Sequence, residues 1–223
     1  MNVRFELTYK TPKGLETSFS SEEMRAGKAI LIAEDLERTG RIQHLTFVDS
    51  QDTTWSLKEL KKFMEEIQTE PHNVTVYFDG GFERDTRKSG VGCAIYFEQN
   101  GKSFRLRKNA LILELETNNE AEYAALHLAL QELELLGVHH LPVQFIGDSQ
   151  VVINQLNGEW ACTEEVLNNW ADRIEAKFKQ LGIRPEYESI SRKQNREADH
   201  LASQALKNID IRSKIEIEFE EPK

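Results

Sequence analysis

Two short apolar runs in this chain each end on an aspartate. Val74-Thr75-Val76-Tyr77-Phe78 leads into Asp79-Gly80-Gly81, and Val143-Gln144-Phe145-Ile146 leads into Gly147-Asp148. Short runs rich in β-branched and aromatic residues, bounded by glycine, read as buried strands. A carboxylate at the C-terminal end of such a strand lies where open α/β sheets place their sites. Gly80-Gly81 reads as a glycine-rich turn whose backbone can be approached closely. Either aspartate taken alone also reads as a turn or helix-capping residue.

A third carboxylate is out of place on a helix. The spacing predicts a helix over Asn118 to Leu136. Steps of four and three trace the stripe Glu122, Leu126, Ala129, Leu133, Leu136, an apolar face with an acid at its N-terminal end. Glu120 traces His127, Gln131 and Glu134 instead, a polar face, so Glu120 is expected in solvent and Glu122 in the core. A lone inward carboxylate is costly unless a cation meets it. Asp199 repeats the oddity. It sits in the first turn of a helix from Asn195 to about Leu206, at the edge of the stripe Ala198, Leu201, Ala202, Ala205. An acid there also serves the helix dipole. Four acids brought together from two strand ends and two helix N-termini repel one another, and divalent cations relieve that repulsion. Hard ions such as Mg²⁺ prefer carboxylate oxygens. Two of them about 3.5–4 Å apart suit phosphodiester hydrolysis.

The rest of the chain organises around this cluster. The 223 residues carry 28 basic and 38 acidic side chains, a net charge of −10, which argues against a protein that coats nucleic acid by bulk positive charge. No apolar run approaches the ~20 residues that span a bilayer. The start, MNVRFELTYK, lacks the apolar stretch of a secretory signal. Two cysteines, Cys93 and Cys162, make neither a disulfide framework nor a zinc pattern, which fits a cytoplasmic setting. Gln68-Thr69-Glu70-Pro71-His72-Asn73 is the expected domain boundary. Residues 1–70 are expected to form a small α+β accessory domain: strands at Val3–Tyr9 and Leu15–Phe19, a helix capped by Ser21 and running to about Arg38, a strand at Ile42–Val48, and a helix opened by the capping box Ser56-Leu57-Lys58-Glu59 and ending near Ile67. The His44 and Trp55 of this half read as structural. Residues 73–206 read β-β-β-α-β-α-α-β-α, with strands Gly90–Glu98 and Ser103–Ala110 joined at Asn100-Gly101. Residues 207–223 read as a tail in which Lys214–Phe219 alternates like an edge strand.

Residues 73–206 resemble the ribonuclease H type 1 family. Four motifs stand in the family's order: Tyr77-Phe78-Asp79-Gly80-Gly81, Thr117-Asn118-Asn119-Glu120-Ala121-Glu122-Tyr123, Gly147-Asp148-Ser149-Gln150, and Asn195-Arg196-Glu197-Ala198-Asp199-His200-Leu201-Ala202. The resemblance implies an α/β fold, a mixed five-stranded sheet flanked by helices. It implies endonucleolytic hydrolysis of the RNA strand of RNA–DNA hybrids with two Mg²⁺ or Mn²⁺ ions. By motif position Asp79, Glu122, Asp148 and Asp199 take the catalytic, metal-ligating roles. Asn119 and Gln150 match amides that contact substrate, and Gly80, Gly81, Arg192 and Asn195 are placed with them. Glu122 would serve twice, on metal and on a 2′-hydroxyl, the group that tells RNA from DNA.

Two departures shape a second reading. The loop before Asp199, Glu188-Ser189-Ile190-Ser191-Arg192-Lys193-Gln194, lacks the histidine that many members carry, and Ser189 lies near its usual place. The stretch matching the basic protrusion of some members, Glu159 to Glu165, holds no Lys or Arg. Slower turnover and weak substrate affinity follow, and the alternative is a nucleic-acid-binding or regulatory module with weak or no hydrolysis. A third reading keeps the metal chemistry on structured or duplex RNA. The net charge discriminates little. Residues 73–206 hold 20 acids and 14 bases, and setting the four clustered acids aside leaves 16 against 14.

Overall fold

The computed structural model describes residues 1–218, without the side chains of 66–68. The chain divides into two compact units, Met1–Thr69 and Glu70–Lys223.

The first unit is built from β1 (Asn2–Lys10), β2 (Glu16–Ser20), β3 (Met24–Arg25), α1 (Ala26–Arg38), β4 (Ile42–Asp49), β5 (Thr54–Trp55) and α2 (Leu57–Thr69). Its antiparallel sheet runs β2-β1-β4-β5, with β3 also paired to β1. Period-two alternation along β1 buries Val3, Phe5 and Leu7, which join Ala29, Ala33, Phe47 and Leu60 in one core. The predicted capping box is formed: the Ser56 N–H donates to Glu59 Oε2 at 2.9 Å, and the Glu59 N–H to Ser56 Oγ at 3.2 Å. Trp55 is structural, its indole N–H donating to Asp49 Oδ2 at 3.0 Å. Ser21 does not cap α1. Its hydroxyl oxygen accepts the Phe5 N–H at 2.9 Å, so the segment stays extended and the helix begins five residues later.

The second unit holds β6 (His72–Glu83), β7 (Lys88–Gln99), β8 (Lys102–Ile112), α3 (Asn118–Leu136), β9 (Pro142–Gly147), α4 (Gln150–Leu156), α5 (Glu165–Leu181), β10 (Arg184–Ser189), α6 (Arg196–Leu206) and β11 (Arg212–Ile217). The sheet order is β10-β9-β6-β7-β8-β11. β9 runs parallel to both β6 and β10, and the remaining pairings are antiparallel, so the sheet is mixed. β7 and β8 are joined by Asn100-Gly101, both at positive φ, as that hairpin turn demands. The sheet has six strands rather than five because β11 pairs in full register with β8. Phe219, the last residue of the expected tail strand, lies outside the described residues. Among the described residues no helix is long and apolar enough to cross a membrane.

One feature of β6 departs from expectation. Gly80 and Gly81 do not turn: the strand continues through them to Glu83, paired with β7 throughout. Gly80 serves a close helix approach. A Cβ on Gly80 would stand 2.1 Å from the Ala121 carbonyl carbon and oxygen of α3. On the neighbouring strand a Cβ on Gly92 would stand 2.6 Å from Leu201 Cβ and 2.7 Å from the Ala202 nitrogen of α6. Two helices thus lie directly on the sheet backbone, beside the part of β6 that carries Asp79.

Candidate metal centre

Asp79, Glu122 and Asp148 each present a carboxylate oxygen within 4.8 Å of the others. They come from β6, the second turn of α3, and the loop between β9 and α4. Asp79 and Glu122 are buried, at 5% and 4% exposure, and Asp148 is half-buried. Each position follows from local structure. Asp79 pairs in the ladder with Gly92, whose missing side chain admits α6. Gly80 admits α3, and its N–H then donates to Glu122 Oε2 at 3.2 Å. Ser149 caps α4 by accepting the Val152 N–H, which fixes the turn that carries Asp148.

The helix stripe placed Glu122 correctly and Glu120 wrongly. Glu120 is buried, at 7% exposure. It is the reciprocal partner of the α3 cap: its Oε2 accepts the Glu116 and Thr117 N–H groups at 2.9 and 3.0 Å, and its own N–H donates to Thr117 Oγ1 at 3.1 Å. A capping box turns its third-position acid back over the helix end, whichever stripe that acid belongs to.

The electrostatics of the cluster are those of like charges held together in a buried place. Burial pushes the Asp79 carboxyl up to about 7, and the charges of Asp148 and Asp199 add to the effect. Burial, with Asp79 and Asp148 behind it, also raises Glu122 well above the ordinary carboxylate range. Among the described residues no ion pair reaches Asp79, Glu122 or Asp148. The donor set is therefore all oxygen and close-set, with the Arg192 charge acting on it only from a distance. It fits a hard divalent cation such as Mg²⁺ or Mn²⁺ and offers nothing to a thiophilic metal.

A stability consequence follows. An acid whose folded-state proton affinity exceeds its unfolded one keeps extra protons in the fold, so stability falls as pH rises between the two values. For Asp79 that window runs from near 3.8 to about 7. In chelator, the melting temperature should fall between pH 5 and pH 8 by an amount worth a few kcal/mol, at about 1.4 kcal/mol per pKa unit. Saturating Mn²⁺ should remove most of that fall. Thermal melts in both buffers check this, and a chelated protein at least as stable at pH 8 as at pH 5 would contradict it.

The other expected site residues divide. Asp199 lies in the first turn of α6, but its carboxylate is held by Arg192. Oδ1 accepts from Nε at 2.9 Å and also from Nη2. Asn119 is half-buried in the first turn of α3, and Gln150 is exposed at the start of α4, both beside the cluster in sequence. Gly81 is half-buried in β6. Asn195 faces inward instead of toward a ligand: it is 1% exposed, and its amide donates to the Phe78 carbonyl at 2.9 Å, tying α6 to β6 one residue before Asp79. Sequence reasoning missed this tie, the Arg192–Asp199 pair, and the helix contacts at Gly80 and Gly92. The signal for the last was present in the alternation Gly90-Val91-Gly92, since glycines on one face of a strand admit a helix.

Comparison with known proteins agrees with this architecture. The family described as reverse transcriptase-like matches residues 77–205. The chain is 42% identical over 200 residues to YpeP of Bacillus subtilis (strain 168), described as an uncharacterized protein, covering 90% of this chain and 88% of that one. It is 30% identical over 134 residues to ribonuclease HI of Halobacterium salinarum, covering 60% of this chain and 64% of the relative. The crystal structure of LC11 ribonuclease H1 in complex with an RNA/DNA hybrid superposes with a TM-score of 0.55 at 27% identity, covering 61% of this chain and 98% of that one. LC11 ribonuclease H1 was isolated from compost by a metagenomic approach. With the mixed sheet, the two helices seated on its glycines and the family match over residues 77–205 in agreement, the chain belongs to the reverse transcriptase-like family, and its second unit carries a ribonuclease H-like domain.

Proposed function

We propose that the chain is an endonuclease that hydrolyses the RNA strand of RNA–DNA hybrids with two divalent ions, Mg²⁺ or Mn²⁺. The observation that carries this reading is the close-set, all-oxygen group Asp79, Glu122 and Asp148 on a ribonuclease H-like fold. The relative whose structure includes an RNA/DNA hybrid supports the substrate class.

Bound ions would supply the activation of water and the neutralisation of charge on the leaving oxygen. The chain's own residues do the rest. Asp79, Glu122 and Asp148 would hold the first ion, and Asp199 would help to hold the second. Burial excludes bulk water from Asp79 and Glu122, which strengthens every charge interaction there. Glu122, fixed by the Gly80 N–H, can accept a hydrogen bond from a 2′-hydroxyl, which DNA lacks. Asn119 and Gln150 reach a bound strand from the N-termini of α3 and α4. Arg192 meets a phosphate oxygen.

The test is a substrate panel. The purified chain is incubated in Mg²⁺, and separately in Mn²⁺, with one sequence prepared as an RNA–DNA hybrid, a duplex RNA and a duplex DNA. Cleavage confined to the RNA strand of the hybrid supports the reading. Cleavage of duplex RNA at an equal rate would move the substrate to RNA duplexes. The Arg192–Asp199 pair, which covers one carboxylate, is the observation that favours a binding module with little hydrolysis. Tight hybrid binding without cleavage in either metal would establish that module instead.

A further inference from the structure

Among the described residues three of the four acids at this centre form no ion pair, although the Arg192 charge is felt at each of them, and the fourth is paired with Arg192 directly. Asp199 is bound by Arg192 through two nitrogens on one oxygen, a geometry that also suits phosphate. The two partners differ in freedom. The Asp199 side chain is 30% exposed, whereas that of Arg192 is 77% exposed. The backbone that carries Arg192 is tightly tied. The Ser191 N–H and hydroxyl both donate to Gln194 Oε1, at 3.1 and 2.6 Å, and the Gln194 N–H returns to the Ser191 carbonyl at 2.8 Å. The Asn195 N–H reaches the Ser191 and Arg192 carbonyls, both at 3.2 Å, while its side chain is locked to Phe78. A fixed loop therefore presents a long, solvent-exposed side chain, able to lie on Asp199 or to swing away without any backbone change.

We infer that Arg192 is a tethered counter-cation that competes with the second divalent ion for Asp199, and that a nucleic-acid phosphate is the ligand that draws it off. This rests on the metal-dependent reading above. A carboxylate oxygen that already accepts two hydrogen bonds from a guanidinium is a poor ligand until that cation leaves, since two positive charges on one oxygen repel. The Arg192 charge reaches Asp79, Glu122 and Asp148 only at a distance, without a hydrogen bond to any of them, so ions load in order: the first on that group, the second at Asp199. A backbone phosphate offers the guanidinium charged oxygen acceptors, as the carboxylate does. A strand in the groove therefore frees Asp199 as it takes Arg192. Loading of the second ion and binding of nucleic acid then favour each other, as any two coupled binding events must reciprocally. Arg192 is a positioning residue in this account, acting on the metal through Asp199.

The test is calorimetric titration of Mn²⁺ into the full chain, stripped with chelator and dialysed, with no substrate present. Wild type should show one stronger and one weaker step. Arg192→Gln should strengthen the weaker step by about fivefold, the scale of an exposed ion pair, and change the stronger step less. Arg192→Gln/Asp199→Asn should lose the weaker step, which assigns it to Asp199. Adding a DNA duplex to wild type should strengthen the weaker step, and adding it to Arg192→Gln should not. A weaker step that is unchanged or weakened in Arg192→Gln, or that survives in the double variant, would overturn the inference. Wild type that binds no Mn²⁺ at all would overturn the metal reading itself, and that failure is visible before any residue is changed.

Discussion

Asp79→Asn is expected to raise the melting temperature of the metal-free protein at pH 8 while removing hydrolysis. Both effects have one cause. At that pH the Asp79 carboxylate carries its charge in a buried position, against Asp148 and Asp199. An asparagine keeps the shape of the side chain and removes the charge. The gain is on the order of a few kcal/mol. For a chain of this size that is roughly 5 °C or more, at about 2–4 °C per kcal/mol. Hydrolysis should fall by at least about a thousandfold, since a charged metal ligand contributes several kcal/mol and each 1.4 kcal/mol is tenfold in rate. The variant should also lose the stabilisation that Mn²⁺ gives to wild type. Opposed changes in stability and activity mark a site kept for chemistry at the cost of the fold. A variant less stable than wild type in chelator at pH 8 would contradict the account.

Gly80→Ala is expected to have the largest effect on the fold of any single-methyl change near the centre. The new Cβ would meet backbone atoms of Ala121 at 2.1 Å, with Glu122 nitrogen at 2.5 Å. Backbone in the middle of a packed joint cannot move aside as a flexible side-chain end can. Overpacking of this kind costs about 1–3 kcal/mol or more. To relieve it, α3 must lift from β6, which breaks the bond from the Gly80 N–H to Glu122 and misplaces that carboxylate. Denaturant unfolding and metal titration check the two halves of the prediction together: a lower midpoint and weaker binding of the first ion. The neighbouring Gly81 is the control. The nearest atom to a Cβ there is a Leu206 methyl at 3.8 Å, an ordinary contact, so Gly81→Ala should cost far less. Equal stability of the two alanine variants would refute the close-approach argument.

These residues also show what a sequence can and cannot carry. The strands, the long helix and the inward turn of Glu122 were legible because each is a period, and period is written in the order of apolar and polar residues. Asn118–Leu136 was delimited correctly for the same reason. Glu120 was misread because a cap overrides the stripe: its side chain answers to the unpaired N–H groups at the helix start, not to the face it would otherwise occupy. Gly80-Gly81 was read as a turn because glycine permits a turn, whereas here Gly80 leaves space for a helix some 40 residues away in sequence. Asn195 looked like a ligand group by its place in a motif. Its function in the structure is a long-range bond to the Phe78 carbonyl that no local pattern announces. The pairing of Arg192 with Asp199 spans only seven residues, yet it was equally hidden. It depends on the tight loop that aims the guanidinium, and exposed loop arginines ordinarily read as solvated charge. The four acids were identifiable one by one, while the pairing of Asp199 alone with Arg192 was a property of the folded site.

The central claim is that the acidic centre performs metal-dependent hydrolysis, and one assay tests it most directly. An RNA–DNA hybrid labelled on the RNA strand is incubated with wild type and with Asp148→Asn, each in Mg²⁺, in Mn²⁺ and in chelator. The account predicts cleavage of the RNA by wild type in at least one metal, none in chelator, and none by Asp148→Asn, whose circular dichroism spectrum should match that of wild type. Cleavage by Asp148→Asn at the wild-type rate, or undiminished cleavage in chelator, would contradict it.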